Sequence, residues 1–405
     1  LTEQGSGLGD DSSRRPGLEV WALEPYFGGS HKIFLDGLTQ HSRHAFSLFT
    51  LPGRHWKWRM HGGALTLADR AAAAAATRVL PHAFFASDML DLPVFLAAVE
   101  PDMRVLPTMV YFHENQLSYP LPAGAERDLG YGFKNVTTAA VADTVLFNSD
   151  YHRREFLSAA AALLQAVPDE VPLELLPEIE AKARVIPVGC DLRRFDRHRS
   201  EATGDAAAGR WGCPADGPLL LWNQRWEYDK APGTLFAALY ALKDMGVSFR
   251  LAMAGPNQGT PTAEFVEAKA RLAGHLVQWG KVQGDADYAS LLWAADVVVS
   301  TAVHEFFGIA VVEAIYCGCR PVLPDRLSYP ELIPKEAHED VLYREGGLVA
   351  ALTRALARPR AWSEDWQRTW VGGFDWAGLR SRYDEEIQSC WDKATRIRSR
   401  RGFVR

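Results

Sequence analysis

Apolar and polar positions alternate along this chain in short, regular blocks. Residues 18-LEVWALEP-25 predict a strand, followed by the turn 26-YFGGSH-31 and an amphipathic helix with Ile33, Phe34 and Leu38 on one face. Strand-like runs recur at 44–52, 82–87, 108–114, 144–149 and 184–189, with helical patterns between several of them. The alanine run from Ala71 to Ala76 predicts a plain helix. Residues 190–218 break the pattern and are polar, charged and rich in Gly, Ala and Pro, which predicts a connection between domains. The cycle then restarts, with strands at 218–224, 248–255, 276–281, 296–301 and 320–324. Helices are expected at about 231–245, 262–273, 286–295 and 309–317, and a closing helix at about 376–395. Alternation of this kind predicts an α/β protein with two doubly wound parallel sheets. The expected division is a flexible arm at 1–16, a first domain at 17–200, a second at 201–375, and a closing helix with a basic tail at 376–405.

The length of 405 residues suits roughly two to three domains. The formal net charge of −6 supplies no global attraction for nucleic acid. Five scattered cysteines, with Cys317 and Cys319 too close for a two-residue metal or redox gap, suggest reduced thiols in the cytoplasm. No apolar run reaches the ~18 residues of a membrane span, and no secretory signal is visible.

The run 304-HEFFGIAVVEAIYCGCRPVLPD-325 carries the sharpest chemistry. Glu305 lies at the mouth of a predicted helix, and Glu313 one turn inside it among Ile309, Ala310, Val311, Val312, Ala314 and Ile315. A carboxylate in such surroundings needs a partner, either a ligand hydroxyl or a Lys or Arg of an ordinary core. The amides of Phe307 and Gly308 face the same space, and a helix N-terminus attracts phosphate. Gly28 and Gly29 after the first strand let a backbone approach a ligand, and equally suit a tight turn. Arg225 and Lys230, beside Asn223 and Gln224, end the first strand of the second half. His113, Glu114, Asn115 and Gln116 make a dense polar cluster at another strand end. His55, Trp56, Lys57, Trp58 and Arg59 interleave cations with aromatics; this suits stacking on single-stranded bases, or a half-buried strand or turn with snorkelling cations. Arginines cluster again at 193–199 and 396–405.

The Glu-x7-Glu run with its small-residue helix resembles the donor site of retaining glycosyltransferases of the GT-B fold. In order along the chain, 185-VIPVGCDLRRF-195, Gly255 and 329-YPE-331 agree with it. The resemblance implies two Rossmann-like doubly wound domains facing across a cleft. It implies that Glu305 contacts the donor sugar, that the segment Phe306, Phe307, Gly308 and Ile309 meets the diphosphate, and that Glu313 binds the ribose. Arg225 and Lys230 would stabilise the leaving diphosphate, flanked by Gly28 and Gly29, with Asn223 on the donor side. The family often has Gly where Gln224 stands. His113 would position the sugar, and Gly255 would let the nucleotide base approach. Cations and helix dipoles would stand in place of a metal, so no metal and no cofactor are expected.

Four strings, 24-EPYFGGSHK-32, 55-HWKWR-59, 84-FFASDMLDL-92 and 111-YFHENQLSYP-120, resemble the tRNA-queuosine α-mannosyltransferase family. That resemblance implies GDP-mannose as donor and the queuosine of tRNA-Asp as acceptor. The acceptor would be met by Ser30, His31, the stretch His55, Trp56, Lys57, Trp58 and Arg59, and the trio Glu114, Asn115 and Gln116. The alternatives are a GT-B transferase for a lipid, cell-wall or metabolite acceptor, and a non-catalytic nucleotide- or RNA-binding scaffold.

Overall fold

A computed structural model describes residues 17–121, 124, 126–199, 211–212, 215–256, 262–359 and 361–400, with side chains as far as 396. The expected arm at 1–16, the end of the basic tail, Cys213 and much of the predicted connection lie outside the described residues.

The first sheet is built from β1 (Glu19–Phe27), β2 (Ala45–Pro52), β3 (Ala83–Ser87), β4 (Thr108–Phe112), β5 (Thr144–Phe147) and β6 (Ala183–Val185). Its order is β2-β1-β3-β4-β5-β6, with every pair parallel. The second sheet uses β7 (Leu219–Trp222), β8 (Arg250–Met253), β9 (Leu276–Trp279), β10 (Val297–Val299), β11 (Arg320–Pro324) and β12 (Leu342–Tyr343). Its order is β12-β11-β10-β7-β8-β9, again all parallel. Strands β3, β4, β5, β7, β10 and β11 are buried throughout. That burial explains why they read as continuous apolar runs instead of alternating ones. The predicted strand 184–189 leaves the sheet after Val185, two residues before Pro187, which has no N–H to give to a ladder. The two-residue β12 has no periodic signal to announce it.

In each sheet the strand order reverses at one place, and ligands of open parallel sheets bind where it does. The reversal lies between β1 and β3 in the first domain and between β7 and β10 in the second. Helix α1 (Gly29–His41) follows β1, and α2 (Trp56–Ala75) follows β2.

One apolar cluster runs from Leu18, Phe34 and Tyr111 through Val188, Cys190 and Phe195 to Trp293, Phe307 and Ile315, so the domains share a core. The helix Trp376–Arg400 closes it. The Trp376 amide donates to the Cys190 carbonyl at 3.0 Å, the Tyr383 hydroxyl to Pro187 at 2.7 Å, and the Ser42 hydroxyl to Asp384 at 2.5 Å. The closing helix therefore packs back on the first domain, against α1. Other ties cross between the domains. The amides at the start of the helix Asp150–Gln165 donate to Glu331, from Asp150 at 2.9 Å and Tyr151 at 2.6 Å, where a carboxylate suits the helix dipole. The His152 ring stacks on Phe306 with centroids 3.7 Å apart, and the Tyr228 hydroxyl donates to Pro120 O.

Candidate active site

Glu24 on β1, His31 on the first turns of α1, Asp88 just past β3 and His113 just past β4 converge at the first reversal point. Glu24 Oε1 accepts the Tyr26 amide at 2.7 Å, and Oε2 meets His31 Nδ1 at 2.9 Å. Burial is the largest influence on His31 and opposes its charge. Glu24, helped by Asp88 and Glu114, overrides it and lifts the imidazole from 6.5 to about 9. His31 is thus a cation at neutral pH. Asp88 accepts the His113 amide at 2.8 Å, and burial pushes its carboxyl up to about 8. The His113 ring lies 4.1 Å from the His31 ring, centroid to centroid. Burial, then the charges on His31 and His152, hold it well below the usual imidazole range. A neutral ring beside a charged one can exchange hydrogen bonds with sugar hydroxyls without competing for the proton.

At the second reversal point Lys230 is buried. Its ammonium donates to the His304 carbonyl at 2.9 Å and pairs with Asp229 at 3.0 Å and Glu305 at 3.3 Å. Burial disfavours this ammonium, yet the two carboxylates raise its pKa. Burial works against ionised Glu305 too; Lys230, the Phe307 amide and His304 prevail and hold it below the usual carboxylate range. Both groups stay charged, fixed ahead of any ligand. Arg225 is half-exposed and lies 3.3 Å from Glu227, with Glu114 and Tyr119 of the first domain in electrostatic range. Gly308, at φ 99°, caps the helix Ile309–Tyr316, and its carbonyl receives the Val311 and Val312 amides at 3.0 Å. Only glycine adopts that backbone readily, so the turn aims the helix N-terminus at the space beside Glu305.

Glu313 is partly buried and already engaged. Arg194 donates to Oε1 at 2.8 Å and the Tyr288 hydroxyl to Oε2 at 2.9 Å. Burial raises its pKa against the opposing pull of Arg194 and Tyr288. Beside it opens a cavity of about 100 Å³ lined by Arg194, Arg197, His198, Asp285 and Tyr288.

Residues 19–190 match the family model "tRNA-queuosine alpha-mannosyltransferase N-terminal", and residues 207–359 match "Glycosyl transferases group 1". Over 318 residues the chain is 36% identical to the tRNA-queuosine alpha-mannosyltransferase of Drosophila melanogaster, covering 78% of this chain and 82% of that one. The chain belongs to the tRNA-queuosine alpha-mannosyltransferase family. It is 28% identical over 228 residues to the GDP-mannose-dependent alpha-(1-6)-phosphatidylinositol dimannoside mannosyltransferase of Mycobacterium tuberculosis, covering 56% of this chain and 52% of that one. Among solved structures, sucrose-phosphate synthase from Thermosynechococcus elongatus superposes with a TM-score of 0.65 at 17% identity, covering 93% of this chain and 100% of that one. The fold is GT-B, and the chain is a glycosyltransferase.

Within this family member several expected contacts move. Asn115 is fully buried; its Oδ1 accepts the Leu117 and Ser118 amides at 3.0 Å, so it shapes the loop. Phe306 points away from the donor space onto His152, and Phe307 packs edge-on against Phe374; only their backbone is left for a diphosphate. The Phe307 amide already leans on Glu305 Oε1 at 3.4 Å. Asn223 donates to the Tyr288 hydroxyl at 3.1 Å and the Ala310 carbonyl at 2.8 Å, stitching β7 to two helices. His31 is buried behind Glu24, whereas Ser30 is exposed at the cleft rim. Glu114 and Gln116 are partly buried and bonded to each other at 3.1 Å. His55 to Arg59 form the start of α2 in place of a strand or half-buried turn. Asn148 and Ser149 hold the loop: Asn148 donates to the His113 carbonyl at 3.0 Å, and Ser149 accepts the His152 amide at 3.0 Å.

Gly255 has a different reason to be glycine than the approach of a base. A Cβ there would lie 1.8 Å from the Gln224 carbonyl oxygen, so the exits of β7 and β8 close on each other. Gly255→Ala should cost about 1–3 kcal/mol or more in a denaturant melt, because backbone has to move. An unchanged midpoint would contradict that packing.

Glu24 and Asp88 escaped the sequence reading, although both stand inside strings that resemble the family. Their signal was position: Glu24 lies within β1 and Asp88 just past β3, the two strands that flank the order reversal. Glu24, His31 and His113 also place one ligand atom each within 4.8 Å of one another. The closed Glu24–His31 ion pair accounts for two of the three. Asp285 and Asp287 have Asp-x-Asp spacing and stand in the first turn of the helix Asp285–Ala294, where acids suit the dipole. Cys190, Cys317, Cys319 and Cys390 are buried thiols, and those of Cys190 and Cys319 donate to backbone carbonyls.

The first-domain cluster sets a pH dependence. Below about 6.5 His31 is charged in folded and unfolded chains alike, and its stabilising pair with Glu24 is fully present. Between 6.5 and about 9 only the folded form keeps the proton, so stability falls as pH rises. Asp88 acts in the same direction from 3.8 to about 8, because the unfolded carboxyl ionises first. The melting temperature should therefore drop across this window. Glu24→Gln should flatten the part between 6.5 and 9; an identical slope would disprove the pairing.

Proposed function

We propose that the protein is a retaining, metal-independent cytoplasmic mannosyltransferase that moves mannose from GDP-mannose to the queuosine of tRNA-Asp. The observation that carries the reading is the extent of the family likeness through the first domain, together with fixed charges at both reversal points of a two-sheet cleft. Glu305 holds the sugar hydroxyls and His113 approaches from the other domain. Arg225, Lys230 and the Gly308–Ile309 amides take up charge on the departing diphosphate, the usual work of preorganised donors. Glu313 receives the ribose diol while keeping Arg194 and Tyr288, since each carboxylate oxygen has a lone pair to spare. The bond from C1 to the phosphate oxygen breaks as the acceptor oxygen bonds C1 on the same face. The acceptor proton passes to the departing phosphate oxygen, which accounts for retention without a protein nucleophile.

The test is to incubate the protein, with EDTA present, with queuosine-containing tRNA-Asp and a panel of nucleotide sugars, and then to weigh the modified nucleoside. One hexose from GDP-mannose is expected. A mass gain on lipid-linked or free-sugar acceptors alone would move the reading to another acceptor, and GDP-mannose bound without release of GDP would mark an idle scaffold.

A further inference from the structure

We infer that Trp58, laid flat on α2 over Gly62, is a stacking platform for a nucleotide flanking the modified base, with Arg54 and Lys57 at the same helix end for the RNA backbone. The inference rests on tRNA being the acceptor and adds the surface that receives it.

Exposed tryptophans usually hang loose. Trp58 is 63% exposed, yet a Cβ built on Gly62 would fall 2.7 Å from its Cζ2 and 2.9 Å from its Cε2. The indole therefore lies across the helix surface where a side chain at 62 would stand, with its outer face open. The neighbouring glycine has a separate purpose: a Cβ on Gly63 would meet Pro25 at 2.8 Å, so that residue lets α2 close on the end of β1. Two glycines in a helix interior cost about 1 kcal/mol each relative to alanine. The core needs only one of them; the other serves the ring. A flat, pre-placed aromatic face loses little freedom when a base stacks on it.

The surroundings suit RNA. Arg54, Lys57 and Arg59 crowd the start of α2, where the helix dipole disfavours cations, and the first turn has no acidic residue. His55 just before them adopts φ 55°, an uncommon backbone for a side-chain-bearing residue. The Lys57 ammonium lies 5.8 Å from the Trp56 ring. The start of α2 is also linked to the reaction centre through Trp56. Gly53 and Gly28 pack backbone to backbone, joining the approach to α2 to the loop at the cleft rim. A row of rings leads inward: Trp56 to Tyr131 at 5.2 Å, Tyr131 with Met60, Met89 and Tyr26 in one cluster, Tyr26 to His31 at 6.0 Å, and His31 to His113 at 4.1 Å. A base extruded toward His113 thus leaves its neighbours near the start of α2, the helix that carries Trp58.

The experiment measures binding of a fluorescently labelled anticodon stem-loop RNA to the full chain and to Trp58→Ala, Trp58→Phe and Gly62→Ala. Stacking is worth ~1–3 kcal/mol per base, so Trp58→Ala should bind about 5- to 150-fold more weakly, with Trp58→Phe between it and the parent. Gly62→Ala is the sharper variant. It improves helix propensity, so its melting temperature should hold or rise, while its methyl lifts the indole and weakens binding. The same variants should lose selectivity for tRNA over the free nucleoside in kcat/KM. If the parent binds RNA and both Trp58→Ala and Gly62→Ala bind it equally well, the platform is disproved. If the parent binds no RNA, the tRNA reading falls and takes the platform with it. Binding instead to phosphatidylglycerol vesicles, lost in Trp58→Ala, would make this a membrane-facing surface and overturn the inference.

Discussion

Lys230→Met should lower turnover by about two to three orders of magnitude, the usual cost of removing a preorganised donor from developing negative charge. The ammonium is buried and held at three points, so it reaches the transition state with no reorganisation. The same variant leaves Asp229 and Glu305 facing each other without a cation. Breaking a buried pair from one side costs about 3–5 kcal/mol of stability, so thermal or denaturant melting has to accompany the kinetics. Arg225→Ala separates the two effects. Its guanidinium is half-exposed and its pairing with Glu227 is worth little to the fold. It should melt like the parent and still lose a large part of kcat. A folded Lys230→Met protein with parental turnover would remove the fixed-cation account.

Trp376→Ala should be the most destabilising apolar truncation, at about 3–5 kcal/mol. Trp376 is 2% exposed, and its indole fills the space that side chains on Gly37 and Gly189 would need; Cβ atoms there would lie 2.3 and 2.5 Å from it. It also lies tilted against Phe34 and Tyr383 and stacks on the His41 ring. This ring is the plug by which the closing helix joins α1 and the interdomain strand, so its loss should loosen the cleft as well as the fold. The check is a denaturant midpoint together with donor affinity. Both should fall in Trp376→Ala, and a midpoint within about 0.5 kcal/mol of the parent would show that the helix is not structural.

The two parallel sheets were legible because strands buried on both faces write unbroken apolar runs, as at Phe84–Phe85 and Val297–Val299. The donor loop was legible because Glu305, Gly308 and Glu313 combine charge, a turn residue and apolar helix in one short run. Partnerships across long sequence distance were not. Nothing local to Glu313 announces Arg194, 119 residues away. Phe306 and Asn115 look like site residues by their neighbours, but tertiary packing turns one across the domain interface and the other into its own loop. Gly255 was recognised as a close-approach glycine, and the approaching group proved to be the chain itself.

The most direct test is a crystal structure with GDP-mannose bound. The diphosphate should lie within hydrogen-bonding reach of Arg225, Lys230 and the Gly308–Ile309 amides, with the mannose between Glu305 and His113 and the ribose on Glu313. A nucleotide sugar seated elsewhere in the cleft, or these side chains turned away from it, would contradict the account.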